Sequence, residues 1–132
     1  MTDAEVLEQA VIDLTDDVQQ NRQEQVLDQI SEEAVVLRGL ISTGMARYQL
    51  EESLRISDLN VEMQADGKSA KAHLRANGTV SDRGSSGVQG QRFPSRWNLY
   101  FEREGDDWKI SKIERLSPTS GKSMPILATR IQ

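Results

Sequence analysis

Apolar residues recur along this chain at two spacings, and the change from one to the other falls near Glu51. From Asp3 to about Gln20, Leu7, Val11, Leu14 and Val18 return every three or four residues, the spacing of one helical face. Thr2 followed by Glu5 forms the signature of a capping box, and Asp3 and Glu5 suit the positive end of the helix dipole. Asn21 stops this helix. A short second helix over Gln23 to Ile30 would bury Val26, Leu27 and Ile30. Ser31 offers a fresh N-cap, and Leu37, Leu40, Ile41, Met45 and Tyr48 then predict a third helix reaching Gln49, with Gly39 and Gly44 as its weak points.

Beyond Glu51 the period becomes two. Leu54 and Ile56 occupy even positions, whereas Leu59, Val61 and Met63 occupy odd ones, so the inward face changes parity across Ser57 and Asp58, as at a β-bulge. Asp66-Gly67 marks a tight turn, and the chain returns as a strand over Lys68 to Val80. Placing Met63 on Ala70, Val61 on Ala72 and Leu59 on Leu74 also sets Glu62 on Lys71, Asn60 on His73 and Asp58 on Arg75. Ser81 to Gln91 has the composition of a mobile loop. The next hairpin, Arg96 to Leu116, carries both tryptophans; its pattern sets Phe101 opposite Trp108, Leu99 opposite Ile110 and Trp97 opposite Lys112 around a loop of Arg103 to Asp106. On that register Lys112 is the main polar side chain on an otherwise apolar inner face. The expected architecture is one α+β domain over residues 1–116: three N-terminal helices on one face of a curved four-stranded antiparallel sheet, followed by a C-terminal tail over 117–132 with two prolines and no clear period.

Composition narrows the chemistry. The net charge is −5 with both signs mixed, which argues against nucleic-acid and anionic-membrane partners. Cysteine is absent, removing disulfides, thiolate nucleophiles and thiolate metal sites. The N-terminus is acidic and amphipathic, and no run approaches the ~18 apolar residues of a membrane span, so a cytoplasmic location is expected, although a leader removed beforehand would leave no trace. His73, the single histidine, lies between Lys71 and Arg75, which disfavours a cation; no metal and no cofactor is expected. Gly121-Lys122-Ser123 matches the end of a phosphate-binding loop, but Leu116 stands where the first glycine belongs and Pro125 opposes the helix that should follow. Asp13, Asp16 and Asp17 lie on a helix without the turn that calcium loops need.

The acidic first helix, the segment NRQEQVLDQISEEAVV and the closing pattern W-x-L-x-F-E-R-E-G-x-x-W-K-I-x-K-I-E over Trp97 to Glu114 resemble the nuclear transport factor 2-like superfamily, which includes ketosteroid isomerase-like and polyketide cyclase-like proteins. The resemblance implies a cystatin-like cone whose open end holds a small apolar molecule, often in a dimer. It also implies that enzymes, binding modules and oligomerisation domains are all open classes. Isomerases of this type need a carboxylate base and an oxyanion hole inside the cone. Here the inward positions are almost wholly apolar and the first helix has no tyrosine, leaving only Tyr48 and Asp58 as acid/base candidates. The reading therefore leans away from catalysis, toward a small-ligand-binding or interaction module with Leu37, Ile41, Tyr48 and Trp97 as pocket walls and Arg47 or Arg92 at the mouth to orient an acidic group. The competing class is an isomerase, dehydratase or cyclase acting through Asp58 or Tyr48. The sheet's outer face, with Asn60, His73, Arg75, Arg96, Asn98, Tyr100, Lys109 and Ser111, is expected to meet a second copy in a homodimer.

Overall fold

A computed structural model describes residues 2–51, 54–83 and 90–126. Helix α1 spans Asp3–Gln19, and its start follows the capping-box chemistry: the Glu5 N–H donates to Thr2 Oγ1 at 3.2 Å while the Thr2 N–H donates to Glu5 Oε1 at 2.8 Å. Leu7, Val11 and Leu14 are buried along one stripe. Asn21 ends the segment in the left-handed region, at φ 57°. Helix α2 (Gln23–Asp28) buries Val26, and Arg22 beside it pairs with Asp16 and Asp17.

Ser31 does not cap the third helix. Its N–H donates to the Ile110 carbonyl at 2.8 Å and the Ile110 N–H donates to the Gln29 carbonyl at 2.8 Å, so residues 29–31 run parallel to a sheet strand and Ser31 is buried there. Helix α3 starts later and ends earlier than its apolar spacing predicts, over Val35–Arg47. Arg38 ties it to α2 by donating to the carbonyls of Leu27 and Ile30, both at 2.9 Å. Tyr48 is already extended and opens a short strand, β1 (Tyr48–Leu50).

Among the described residues the sheet has six strands, the four expected long ones and two short additions: β1, β2 (Arg55–Met63), β3 (Ser69–Asp82), β4 (Gln91–Glu104), β5 (Asp107–Leu116) and β6 (Ser123–Met124). Its order is β1-β3-β4-β5-β6, with β2 also on β3, and all these pairs are antiparallel. The β2–β3 pairing is the expected one from Met63 on Ala70 to Asn60 on His73, but the register shifts between Ser57 and Asn60, where Asp58 takes φ 54°, so Ser57 rather than Asp58 faces Arg75 and Leu59 does not pair with Leu74. That is the predicted bulge.

Three expectations are corrected here. The segment 81–91 is not wholly loop, because β3 continues through Asp82 and β4 begins at Gln91; residues 84–89 of that predicted loop lie outside the described residues. Pro94 fits in β4 because β5 stops opposite Arg96, so β4 has no described partner on that side at Gln91 to Ser95. The tail is partly ordered: after a turn in which the Ser117 N–H donates to the Lys122 carbonyl at 2.7 Å, β6 pairs with Arg115 and Leu116. Residues 127–132 lie outside the described residues.

The third correction concerns the register of β4 and β5. The turn is tighter than a loop of Arg103 to Asp106, since Glu104 faces Asp107 and Gly105 takes φ 65° at the first position, as a type II′ turn requires. Phe101 therefore faces Ile110. Ser111 is then an extra residue, so Tyr100 faces Lys112, Leu99 faces Ile113 and Trp97 faces Arg115. Lys112 turns out to be exposed on the outer side, and the cation on the inner face opposite Trp97 is Arg115. The core joins Leu7, Val11, Val26 and Leu37 of the helices to Leu99, Phe101 and Ile110 of the sheet, with Ala70 and Ala72 giving the helices room to approach β3.

Candidate functional site

Along β4 the inward residues change character from Phe101 and Leu99, in the core, to Trp97, Ser95 and Phe93 toward the end where β5 no longer covers the strand. Ser95 is buried; its hydroxyl donates to the Ala76 carbonyl at 3.1 Å and accepts from the Trp97 indole N–H at 2.7 Å, which fixes the indole plane. Beside Trp97, Arg115 is only 7% exposed. Its guanidinium lies 4.7 Å from the Phe93 ring centroid, a cation–π arrangement. One nitrogen, Nη1, reaches the Pro125 carbonyl at 3.4 Å, and the buried Nε has no acceptor. Among the described residues no carboxylate pairs with it. Burial pushes its pKa below the ordinary arginine value, yet the cover is thin, because Arg115 also borders an open groove.

That groove, about 560 Å³, runs between α3 and the β5–β6 edge. Leu40, Ile113, Met124 and Ile126 make its apolar walls, and Arg115, Lys112, Glu114 and Ser123 border it as polar groups. A buried guanidinium without a counter-charge costs several kcal/mol. The arrangement can receive an elongated apolar group with a polar end.

The outer face carries a separate polar network. Arg96 Nε donates to His73 Nε2 at 3.1 Å, which makes His73 the Nδ1–H tautomer, donating to Asn98 Oδ1 at 2.9 Å. Asn98 and Tyr100 donate to Glu114 Oε1 at 3.0 and 3.1 Å, and Ser123 donates to Glu114 Oε2 at 2.7 Å. The amide of Asn98, followed by Ser123 and Tyr100, holds the Glu114 carboxyl below its ordinary pKa, while burial and the adjacent Glu114 raise that of Tyr100. The only histidine is thus a link in a closed chain of hydrogen bonds.

The residues named from sequence do not gather at one place. Trp97 borders the Arg115 site. Leu37 is buried in the core and Ile41 packs half-buried against it. Tyr48 sits on β1 beneath the Arg47 guanidinium, 5.1 Å from its ring centroid, and Arg47 pairs with Asp82 at 3.1 Å. Asp82 stands eight residues along β3 from Leu74, the partner of Trp97, which is roughly 26 Å of strand. Arg92 is exposed opposite Thr79, and Asp58 is exposed on its bulge, 3.4 Å from Arg75. Arg115 is the residue that sequence reasoning missed. Among the described residues no cluster of three or more His, Asp or Glu side chains could hold a metal, and no helix is long and apolar enough to cross a membrane.

No family model and no curated protein matches the sequence. Solved structures do. The intermembrane space region of the chloroplast protein ARC6 aligns with a TM-score of 0.62 at 16% identity over 89% of this chain and 98% of that one. A candidate polyketide cyclase from Xanthomonas campestris pv. campestris aligns at 0.56 and 12% identity over 86% of this chain and 91% of its own. Another, from Pseudomonas putida KT2440, aligns at 0.54 and 17% over 84% and 90%. The chain has the nuclear transport factor 2-like cone fold. At these identities the likeness concerns the cone alone, and structures that share it carry dissimilar descriptions, so the cone by itself does not decide between catalysis and binding.

Proposed function

We propose that this chain is a small-ligand-binding cone domain without acid/base chemistry, which takes an elongated apolar molecule into the groove between α3 and the β5–β6 edge. The observation that carries this reading is the groove itself: its lining is mostly apolar, with Lys112, Glu114, Arg115 and Ser123 as its polar groups, and its volume of about 560 Å³ falls within the span of small-molecule sites, roughly 300 to 1,000 Å³. The leaning against catalysis is supported by the placement of the two acid/base candidates. Tyr48 lies under Arg47 at the far end of β3 and Asp58 lies on the outer face with Arg75, so neither points a proton-transfer group at the groove. The same reading includes a homodimer through the outer sheet face, which the helices leave uncovered.

A neutral fluorescent probe tests the groove. N-phenyl-1-naphthylamine should show a saturable rise in emission at one site per chain. Leu40→Glu, at a half-buried groove wall, should abolish that rise while leaving the circular dichroism spectrum intact. An unsaturable response, or one indifferent to Leu40, rejects the proposal.

A further inference from the structure

We propose that Arg115 is an anion anchor and that the groove selects amphipathic carboxylates over neutral molecules of the same shape. This rests on the ligand-binding reading above and adds the chemical class of the ligand. Three observations converge on it. Arg115 is 7% exposed as a residue and its Nε is buried without an acceptor, yet among the described residues it has no ion pair. Its bond to Pro125 uses Nη1, and the Phe93 ring holds it in place, so the edge formed by Nε and Nη2 is left without an acceptor. That edge is the one that grips a planar carboxylate through two parallel hydrogen bonds. The apolar walls at Leu40, Ile113, Met124 and Ile126 start beside it, which places a hydrocarbon tail where the head would leave it.

The neighbouring charges leave that role vacant. Glu114 and Lys112 also border the groove, but the Glu114 carboxylate is engaged by Asn98, Tyr100 and Ser123, and Lys112 lies over the Tyr100 ring, 5.1 Å from its centroid. Asp82 is engaged with Arg47. A purely structural Arg115 would be expected to have its buried polar atoms saturated, and its Nε is not.

Octanoate and octanamide, which differ only in the head group, provide the test. Trp97 reports binding by fluorescence once Trp108 is replaced by phenylalanine, since these are the two tryptophans of the chain. At pH 7 octanoate should bind at least ~10-fold more tightly than octanamide, and Arg115→Met should erase that preference while changing octanamide affinity by less than about twofold. Arg115→Lys keeps the charge without the fork, so it should weaken octanoate some 3- to 10-fold and leave octanamide unchanged; it also carries the test if the methionine variant fails to fold. Equal binding of the two probes to the parent protein overturns the anion anchor and leaves the groove standing. Binding of neither overturns both. A carboxylate preference that persists in folded Arg115→Met places the anion site elsewhere and also rejects the assignment.

Discussion

After Arg115, the most informative single residue is Glu114. Its two oxygens take three hydrogen bonds, from two side chains of β4 and one of β6, so the charged form is the one the fold recognises. Because its folded pKa lies below the ordinary 4.5, its stabilisation is complete above that value and is lost as pH falls through the depressed folded value. Glu114→Gln keeps an acceptor for Asn98 and Tyr100 but presents an amide toward Ser123. The variant should be less stable at pH 7 by about 1 to 3 kcal/mol, measured from urea midpoints, and the gap should close between about pH 5 and pH 3. Urea midpoints that stay equally far apart at both ends of that range would show that the network does not prefer the carboxylate. Asp58 gives the opposite case. At φ 54° on an exposed bulge, its geometry suits glycine, and its pair with Arg75 is a surface pair worth about 0 to 1 kcal/mol. Asp58→Gly should therefore lie within ~0.5 kcal/mol of the parent, whereas Asp58→Val should cost about 1 to 2 kcal/mol, because a β-branched side chain resists that φ. Thermal denaturation of the two variants side by side decides it.

At the scale of elements, the β4–β5 hairpin shows how much the sequence discloses and where it stops. Its existence, its turn glycine and the burial of Phe101 and Ile110 follow from alternation alone. Its register does not, because the Gly105-Asp106 turn is shorter than a four-residue loop and Ser111 adds one residue to β5. Parity held the missing signal. Just as Ile56 and Leu59 disclose the bulge at Asp58, Ile110 and Ile113 fall on opposite parities around Ser111, and both face inward. The sheet could thus be drawn from sequence while the cation beside Trp97 was misplaced, for a slip in pairing exchanges one inward residue for another. The short elements were harder to see. Ser31 looks like a helix cap locally, and only its long-range bond to Ile110 reassigns it; β1 and β6 have three and two residues, too few for a period. Deleting Ser111 should remove the bulge and leave a regular ladder in which Tyr100 still faces Lys112, Leu99 still faces Ile113 and Trp97 still faces Arg115, each on the side of the sheet it already occupies. We expect the deletion variant to unfold cooperatively in chemical denaturation and to lie within about 2 kcal/mol of the parent, whereas Ile110→Ala, which empties a buried site, should cost about 2 to 5 kcal/mol; a deletion as costly as Ile110→Ala would show that the bulge itself is required.

At the scale of the whole molecule, the helices cover one face of the sheet and leave the other to solvent or to a partner. The cone fold, shared with a chloroplast protein region and candidate cyclases, does not settle which. The outer face is polar, but its central groups are already bonded to one another, from Arg96 through His73 and Asn98 to Glu114. Covering such a face costs little, because few of its groups would lose water without already holding a protein partner. A specific interface needs about 800 Å² per partner, roughly a tenth of the 8080 Å² this chain exposes, and the four long strands offer that much on one side. Light scattering at tens of micromolar should then return a mass near twice 14.8 kDa. In a two-fold interface every residue meets its own patch, so a charge introduced once appears twice. Asn60 is exposed on that face, and Asn60→Arg should raise the dimer dissociation constant at least ~10-fold while leaving urea unfolding of the dilute monomer unchanged. A parent protein that scatters as a 14.8 kDa monomer throughout this range would show that the closed hydrogen-bond chain makes the outer face a finished surface.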